Sequence, residues 1–390
     1  MIFVGVDLGT SALKCGAWDR DGRRRAFAVS ERFAFGELQD AEIWRRELER
    51  TLARVCAELD GQAITAIGVG GHAPSPVFCD AEMRPLVPVP TWRSGRAQGE
   101  FERLCALEPR LRAPSDARLE ARLAAHGIVL LRERPQLADE IELLLTSWEF
   151  LLAHLTGVCA TTTASTDIDI AGLAGLSNWR PSLRRGPGER LGMCGDTPVV
   201  VGGLDSRLAS IGSGIREVGQ ACINGGSTAI VSQLAPPDSG GRFELGGLDL
   251  ISEPVRLGGD LLEGLLGEHS PKQRHALLGE AASLDGSWRD EHGLATATRN
   301  ALERTLLAQR SALDSIAARV GPARSVRMVG GLAGDARLHD LIRTILARPI
   351  DFPTETQASA LGAAMQAAVG VGAFASLTDA AKSMTSISPR

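Results

Sequence analysis

Apolar and polar positions change in blocks along this chain, and each block predicts an element. The run Ile2 to Val6 reads as a buried strand, Gly9 as a tight turn and Ala12 to Trp18 as the returning strand. After the turn "DRDGRRR", Arg25 to Ser30 gives a third strand. Trp44, Leu48, Leu52, Val55 and Leu59 recur close to helical spacing, which predicts a helix from about Ala41 to Leu59, and Ile64 to Val69 is the next strand. Strands in a meander, then a helix and a further strand, are not the βαβ order of a dinucleotide-binding fold.

Further along, Arg110 to Gln136 is rich in Arg and Leu and reads as helical, and "TSWEFLLAHLTG" (146 to 157) is a capped helix ending at Gly157. "RRGPGERLG" (184 to 192) reads as an exposed loop. A strand from Pro198 to Gly202 leads into "GGLDSRLASIGSG". Asp167 and Asp169 alternate with apolar residues and are read as part of a half-exposed strand, not as metal ligands.

Two of the turns carry chemistry. The first strand ends at Asp7, and its tip is Gly9-Thr10-Ser11, with Lys14 just beyond; "ACINGGSTAIVS" (221 to 232) repeats the plan with Gly226-Ser227-Thr228 between two apolar strands. Backbone N–H groups of a Gly-containing turn form an anion-binding concavity, hydroxyls donate to phosphate oxygens, and a carboxylate at the strand end can hold Mg²⁺ through water. Two such tips far apart in one chain suggest two domains of related build facing one nucleotide. A third element, "VRMVGGLAGDARLHDLIRTILA" (326 to 347), places Gly330-Gly331 between a strand and a helix with Leu338, Leu341, Ile342, Ile345 and Leu346 on one face.

Composition narrows the classes. At 390 residues with a net charge of −5, the chain is long enough for two cores. A mildly acidic balance, few aromatics and no tyrosine argue against a nucleic-acid surface. No apolar run approaches a membrane span and the N-terminus lacks a signal-peptide pattern, so the cytoplasm is expected, with no membrane partner. The 7 cysteines are scattered without C-x-x-C and read as reduced, mostly buried thiols. Of the basic residues only Lys14, Lys272 and Lys382 are lysines, which makes a lysine beside the first tip more telling.

Taken together, these segments resemble the FGGY family of carbohydrate kinases, in the actin-like ATPase superfamily. The resemblance rests on "VGVDLGTSALK", on "PVVVGGLDSRLASIGSG" with "VGQACINGGST", and on "VGGLAGDARLHDLI" with "ALGAAM"; "LQDAEIWRR" and "GVGGHAPSPVFCDAEMRPLVPVPTWRSGRA" add to it. It implies an α/β chain of two ribonuclease H-like domains, 1–213 and 214–390, each a mixed five-stranded sheet flanked by helices, with the active site in the cleft between them and hinge motion near residues 200 to 220. The activity implied is transfer of the ATP γ-phosphate to a hydroxyl of a small sugar, ketose or polyol, with ATP and Mg²⁺ as cofactors.

Carried over position by position, the resemblance makes Asp205 the catalytic base and Asp7 the metal residue. Thr10, Ser11 and Lys14 would meet the transferable phosphate, and Gly226, Ser227 and Thr228 the other phosphates. Gly330, Gly331 and Asp335 would flank the adenosine, while His72, Ala73, Pro74, Arg93 and Ser206 would line the sugar side. Read on its own, Asp205 could equally be a helix N-cap, His72 a core histidine, and Arg93 and Arg96 partners of surface carboxylates. Two departures stand out: Ser94 occupies the place of a family aspartate, and the chain is short between about 105 and 200 and between 228 and 326. These leave the identity of the sugar and the assembly, including a homodimer, open. They also motivate an alternative, a sugar- and nucleotide-binding sensor that has lost turnover.

Overall fold

The computed structural model describes all residues except 34–35, 114, 164–166, 227–228, 242, 256–258, 285–292 and 389–390. The opening apolar runs build a six-stranded sheet in the order Arg24–Val29, Leu13–Asp19, Ile2–Leu8, Ile64–Gly71, Thr197–Leu204, Arg190–Cys194. Its first three strands form the expected antiparallel meander; Ile2–Leu8, Ile64–Gly71 and Thr197–Leu204 run parallel, and Arg190–Cys194 returns antiparallel at the edge. Successive side chains point to opposite faces of a strand. Thus Val4, Val6 and Leu8 join Trp44, Leu48, Phe150 and Leu151 in one core. Helix Ala41–Glu58 covers Leu13–Asp19 and Arg24–Val29, and helix Ser147–Thr156 covers Ile64–Gly71 and Thr197–Leu204.

A second six-stranded sheet repeats the plan: Phe243–Leu245, Leu248–Val255, Ala229–Ala235, Gln220–Gly225, Ser325–Val329, Ile350–Asp351. Gln220–Gly225, Ala229–Ala235 and Leu248–Val255 are the antiparallel meander, and Ser325–Val329 and Ile350–Asp351 add in parallel. Each sheet is therefore the expected five-stranded mixed unit plus one short edge strand. The core of this sheet lies under helix Leu294–Val320, with Leu302, Leu306, Leu313 and Ile316 facing it.

The chain divides into two compact units, Met1–Leu208 with Ser359–Met384, and Ala209–Ala358 with Thr385–Arg390. The division lies five residues before the one read from sequence, at 208/209 against 213/214. It also differs in that Ser359–Met384 returns to the first unit, because helix Ala358–Gly370 seats its backbone on Gly5 and Gly68. A small helical cluster, with Phe101, Leu104, Leu111 and Ala121 at its centre, fills out the first unit.

Helix Ser147–Thr156 carries the expected caps, a Thr146–Glu149 capping box and a left-handed Gly157 (φ 68°). Glu149 does more than cap. Burial would raise its pKa, but the Arg180 guanidinium at 2.9 Å and the N–H groups of Thr146 (2.7 Å) and Thr162 (2.6 Å) hold the carboxyl below its ordinary range. That network fixes the helix start, and the next residue, Ser147, donates to the carbonyl of His72 at 2.7 Å.

Two local expectations change. The loop predicted to run to residue 192 stops at Arg190, where the edge strand begins, because Val199 and Val200 offer backbone groups to Gly192 and Arg190. Asp169 is a helix cap, accepting from Gly172 N at 2.9 Å, and Asp167 pairs with Arg110 at 2.6 Å, so neither lies in a strand. Of the cysteines, Cys15, Cys79, Cys105 and Cys222 are buried and none is in a disulfide. Among the described residues no helix is long and apolar enough to cross a membrane.

Candidate active site

Strand pairing puts two carboxylates at the same end of the sheet, on strands that flank Ile64–Gly71. Asp7 sits opposite Gly70, and Gly70 opposite Gly203, two residues before Asp205 opens the helix Asp205–Gly212. A register shift between Val201 and Gly203, with Gly203 at φ +108°, turns the chain out of the strand there, a backbone state that glycine adopts without strain. Asp205 keeps part of its surface open, yet its carboxyl is densely surrounded. Burial and then the neighbouring Asp7 raise its pKa to about 7, against the pull of the Ser206 N–H at 2.6 Å and of Lys14. Burial likewise raises Asp7, and Lys14, its partner across the hairpin, opposes the shift.

Asp7 Oδ1 is buried without a hydrogen-bond partner among the described residues. A bare buried carboxylate oxygen facing a second carboxylate is unfavourable unless a cation or proton is shared. The residues present therefore fit a divalent cation held by one or two carboxylates and water.

The Gly9-Thr10-Ser11 tip is closed by Gly9 N, which donates to the carbonyls of Asp7 and Ala12 at 3.1 Å each. Thr10 Oγ1 accepts from the Trp92 indole at 2.8 Å, Thr10 O accepts from Gln39 Nε2 at 2.8 Å, and Ser11 O accepts from Phe33 N at 2.9 Å.

His72 follows the strand Ile64–Gly71, is 2% exposed, and donates its backbone N–H to Leu8 O at 3.2 Å. Its Nδ1 lies 2.8 Å from Ser75 Oγ, whose own proton goes to Pro74 O at 2.9 Å. Nδ1 must then carry the proton, which leaves Nε2 as a buried acceptor without a partner among the described residues. Burial, and then the charge of Arg93, lower the His72 pKa to about 4, so the ring stays neutral at physiological pH. Ala73 and Pro74 follow directly, joined by a cis peptide bond. The Arg93 guanidinium lies 4.9 Å from the Trp92 ring centre, and Ser94 Oγ is buried without a partner among the described residues. Arg96 pairs with Glu133 at 2.6 Å, the surface role considered for it.

Asp7, Thr10, Ser11, Lys14, His72, Ala73, Pro74, Arg93, Asp205 and Ser206 all belong to the first unit. In the second unit, Gly226 directly follows the strand Gln220–Gly225, and Ser227 and Thr228 lie outside the described residues. Gly330 packs on the backbone of Gly225, 2.8 Å from where its Cβ would be, and Gly331 opens the turn Gly331–Gly334. Asp335 caps the turn Ala336–Leu338, its side chain accepting from Arg337 N. Hydrogen bonds to Arg337, at 2.5 Å, hold its carboxyl below its ordinary range. Sequence reasoning gave no site role to Gln39, Ser75 or Trp92, and read Trp44 only as part of the apolar stripe of its helix. The one pointer to Gln39 and Trp44 as site residues was that "LQDAEIWRR" contributed to the resemblance.

A mixed-sheet plan repeated in one chain, the first copy carrying a pair of interacting carboxylates, is the build of the actin-like ATPase fold. The chain belongs to the FGGY family of carbohydrate kinases: residues 2–180 match the family's N-terminal domain and residues 262–371 its C-terminal domain. It is 24% identical over 467 residues to erythritol kinase of Brucella abortus, covering 97% of this chain and 89% of that one. Its fold is that of xylulose kinase from Rhodospirillum rubrum (TM-score 0.78, 18% identity, 100% of this chain and 93% of that one). It is also that of gluconate kinase from Lactobacillus acidophilus (TM-score 0.79, 15% identity, 100% and 92%). The protein is accordingly a carbohydrate phosphotransferase that uses ATP with Mg²⁺.

Proposed function

We propose that this kinase phosphorylates a hydroxyl of a small sugar, ketose or polyol with Asp205 as the general base. The observation that supports this reading is the burial of the Asp205 carboxyl across one intervening strand from Asp7, and the two together set it near neutrality. A base of that pKa is matched to proton abstraction at physiological pH. As the substrate hydroxyl oxygen bonds to the γ-phosphorus, its proton passes to Asp205, the bond to the β,γ-bridging oxygen breaks, and ADP leaves. Mg²⁺ and ATP, when bound at Asp7 and the hydroxyl turn, supply charge neutralisation and the phosphoryl group.

His72 Nε2, a bare acceptor, takes a hydrogen bond from a second substrate hydroxyl, and Ser94 offers a hydroxyl where a carboxylate would have been an acceptor only. Lys14 and the Thr10 and Ser11 hydroxyls face phosphate oxygens. Retention of both carboxylates favours turnover over the sensor alternative, since a binding protein has no physical need of a base.

The test is a coupled ADP-release screen over ketopentoses, tetritols, other polyols, aldonates and glycerol. Release that depends on one class of acceptor supports the reading; MgATP binding with no acceptor turned over defeats it. The metal role of Asp7 has its own readout. A ligand that binds only the folded state at a hundredfold excess over its Kd stabilises by about 2.7 kcal/mol. MgATP is expected to raise the melting temperature above that with ATP and a chelator, and Asp7→Asn to abolish the difference. An unchanged difference in the variant removes Asp7 from the metal site.

A further inference from the structure

Thr10 is held from two sides by side chains remote in sequence, and both supports begin at a tryptophan. The Trp92 indole N–H donates to Thr10 Oγ1 at 2.8 Å across 82 positions. The buried Trp44 indole donates to Gln39 Oε1 at 3.1 Å, which fixes the amide so that Gln39 Nε2 faces the Thr10 carbonyl at 2.8 Å. An indole can only donate, so the direction of each bond is settled by chemistry. Each ring also touches a sugar-side group: Trp44 meets His72 edge-on at 5.3 Å between ring centres, and Trp92 carries the Arg93 guanidinium 4.9 Å from its centre.

A threonine hydroxyl has one proton and two lone pairs. With one lone pair taken by Trp92, rotation about the Cβ–Oγ bond is confined and the proton must point away from the indole. Thr10 is thereby set as a donor, the polarity that a phosphate oxygen requires. Without the indole, the hydroxyl is free to rotate and to donate to water.

We propose that Trp92 is a positioning residue that orients the Thr10 hydroxyl toward the transferable phosphate and, together with Trp44 through Gln39, couples the sugar-side wall to the phosphate turn. The proposal rests on the kinase reading above. In it, a substrate that displaces Arg93 or His72 shifts the ring beneath it and re-aims Thr10, so phosphoryl transfer becomes efficient only when the acceptor is seated. Water, which makes no such contact, gains no equal benefit.

Trp92→Phe keeps a ring for Arg93 and removes only the N–H. The expected result is a kcat for sugar phosphorylation lower by roughly three- to tenfold, the worth of one hydrogen bond, with the sugar KM within about twofold. An interaction realised in the transition state alone gives this split. Sugar-independent ADP release should fall less, so the ratio of coupled to uncoupled release drops. In a Thr10→Val background, Trp92→Phe should cost nothing further, whereas Thr10→Ser should restore the cost. Additive losses in the Trp92→Phe/Thr10→Val double variant overturn the proposal.

A second measurement does not depend on turnover. Of the 6 tryptophans, the indole N–H resonance missing in Trp92→Phe should move upfield in Thr10→Val, as a donor loses its acceptor. An unmoved resonance refutes the contact. If no acceptor elicits ADP release from the unmodified protein, the kinase reading has failed, and this resonance still decides whether Trp92 holds Thr10.

Discussion

Asp205→Asn is expected to lower sugar-dependent ADP release by about 10²–10⁴-fold while leaving MgATP affinity within about threefold, because the amide keeps the size of the side chain but cannot take a proton. A helix-cap role forecasts the opposite, since Asn caps about as well as Asp. The geometry also speaks against a cap. Asp205 is the first residue of its helix, and its Oδ1 accepts from the adjacent Ser206 N–H.

The pH dependence gives a second signature. Asp205 is raised to about 7 in the fold by burial and by Asp7, so below its ordinary range folded and unfolded chains both hold the proton. Between that range and pH 7 only the folded protein does. The protonated group's contribution to stability is therefore fully present at acid pH and is lost as pH rises through about 7. Asn cannot ionise, so the variant should melt no lower than the parent at pH 8, and the rise in turnover toward neutral pH should disappear with the carboxylate. Near-parental turnover in a folded variant would remove Asp205 as the base.

How much of this was visible in the sequence depended on range. The strand that carries Asp7, the strand leading into Asp205, the Gly330 junction and the caps of Ser147–Thr156 were legible because turn residues and apolar runs act within a few positions. The carboxylate pair was named one residue at a time, but the reason the two interact was not: Asp7 and Asp205 meet through Gly70, the middle strand of a parallel set whose register no local pattern encodes. Trp92 reads as one more aromatic until it is found on Thr10, and Ser75 reads as a loop serine until it fixes the His72 tautomer. The return of Ser359–Met384 to the first unit was illegible for the same reason, since an alanine-rich helix carries no mark of which sheet it will cover.

That helix gives the largest stability effect expected here. Gly5 and Gly68 are register partners at the middle of the first sheet, and the backbone of Ala358–Gly370 lies directly on them. A Cβ built on Gly5 falls 1.8 Å from Ala360 O, and one on Gly68 falls 2.1 Å from Ala363 O. Both obstacles are main chain, so no side-chain rotation relieves them. Ala360, Leu361, Ala363, Ala364 and Ala367 are fully or almost fully buried, so the helix cannot lift without opening the face it closes.

Gly68→Ala is expected to cost about 3 kcal/mol or more, the upper range for overpacking, read as a lower denaturant midpoint, and the Gly5→Ala/Gly68→Ala double variant should fail to fold. Gly99→Ala is the control. Gly99 lies in the exposed first turn of helix Gln98–Leu107 with nothing within 4 Å of the new methyl, so there the same change should stabilise by about 0.4–1 kcal/mol. Opposite signs from one chemical substitution separate crowding from backbone entropy. Because Asp7 and Gly70 stand two residues beyond Gly5 and Gly68 on the same strands, a folded Gly68→Ala protein should also lose part of the MgATP-dependent melting shift. A variant that melts and binds like the parent would show that the helix does not rest on this sheet.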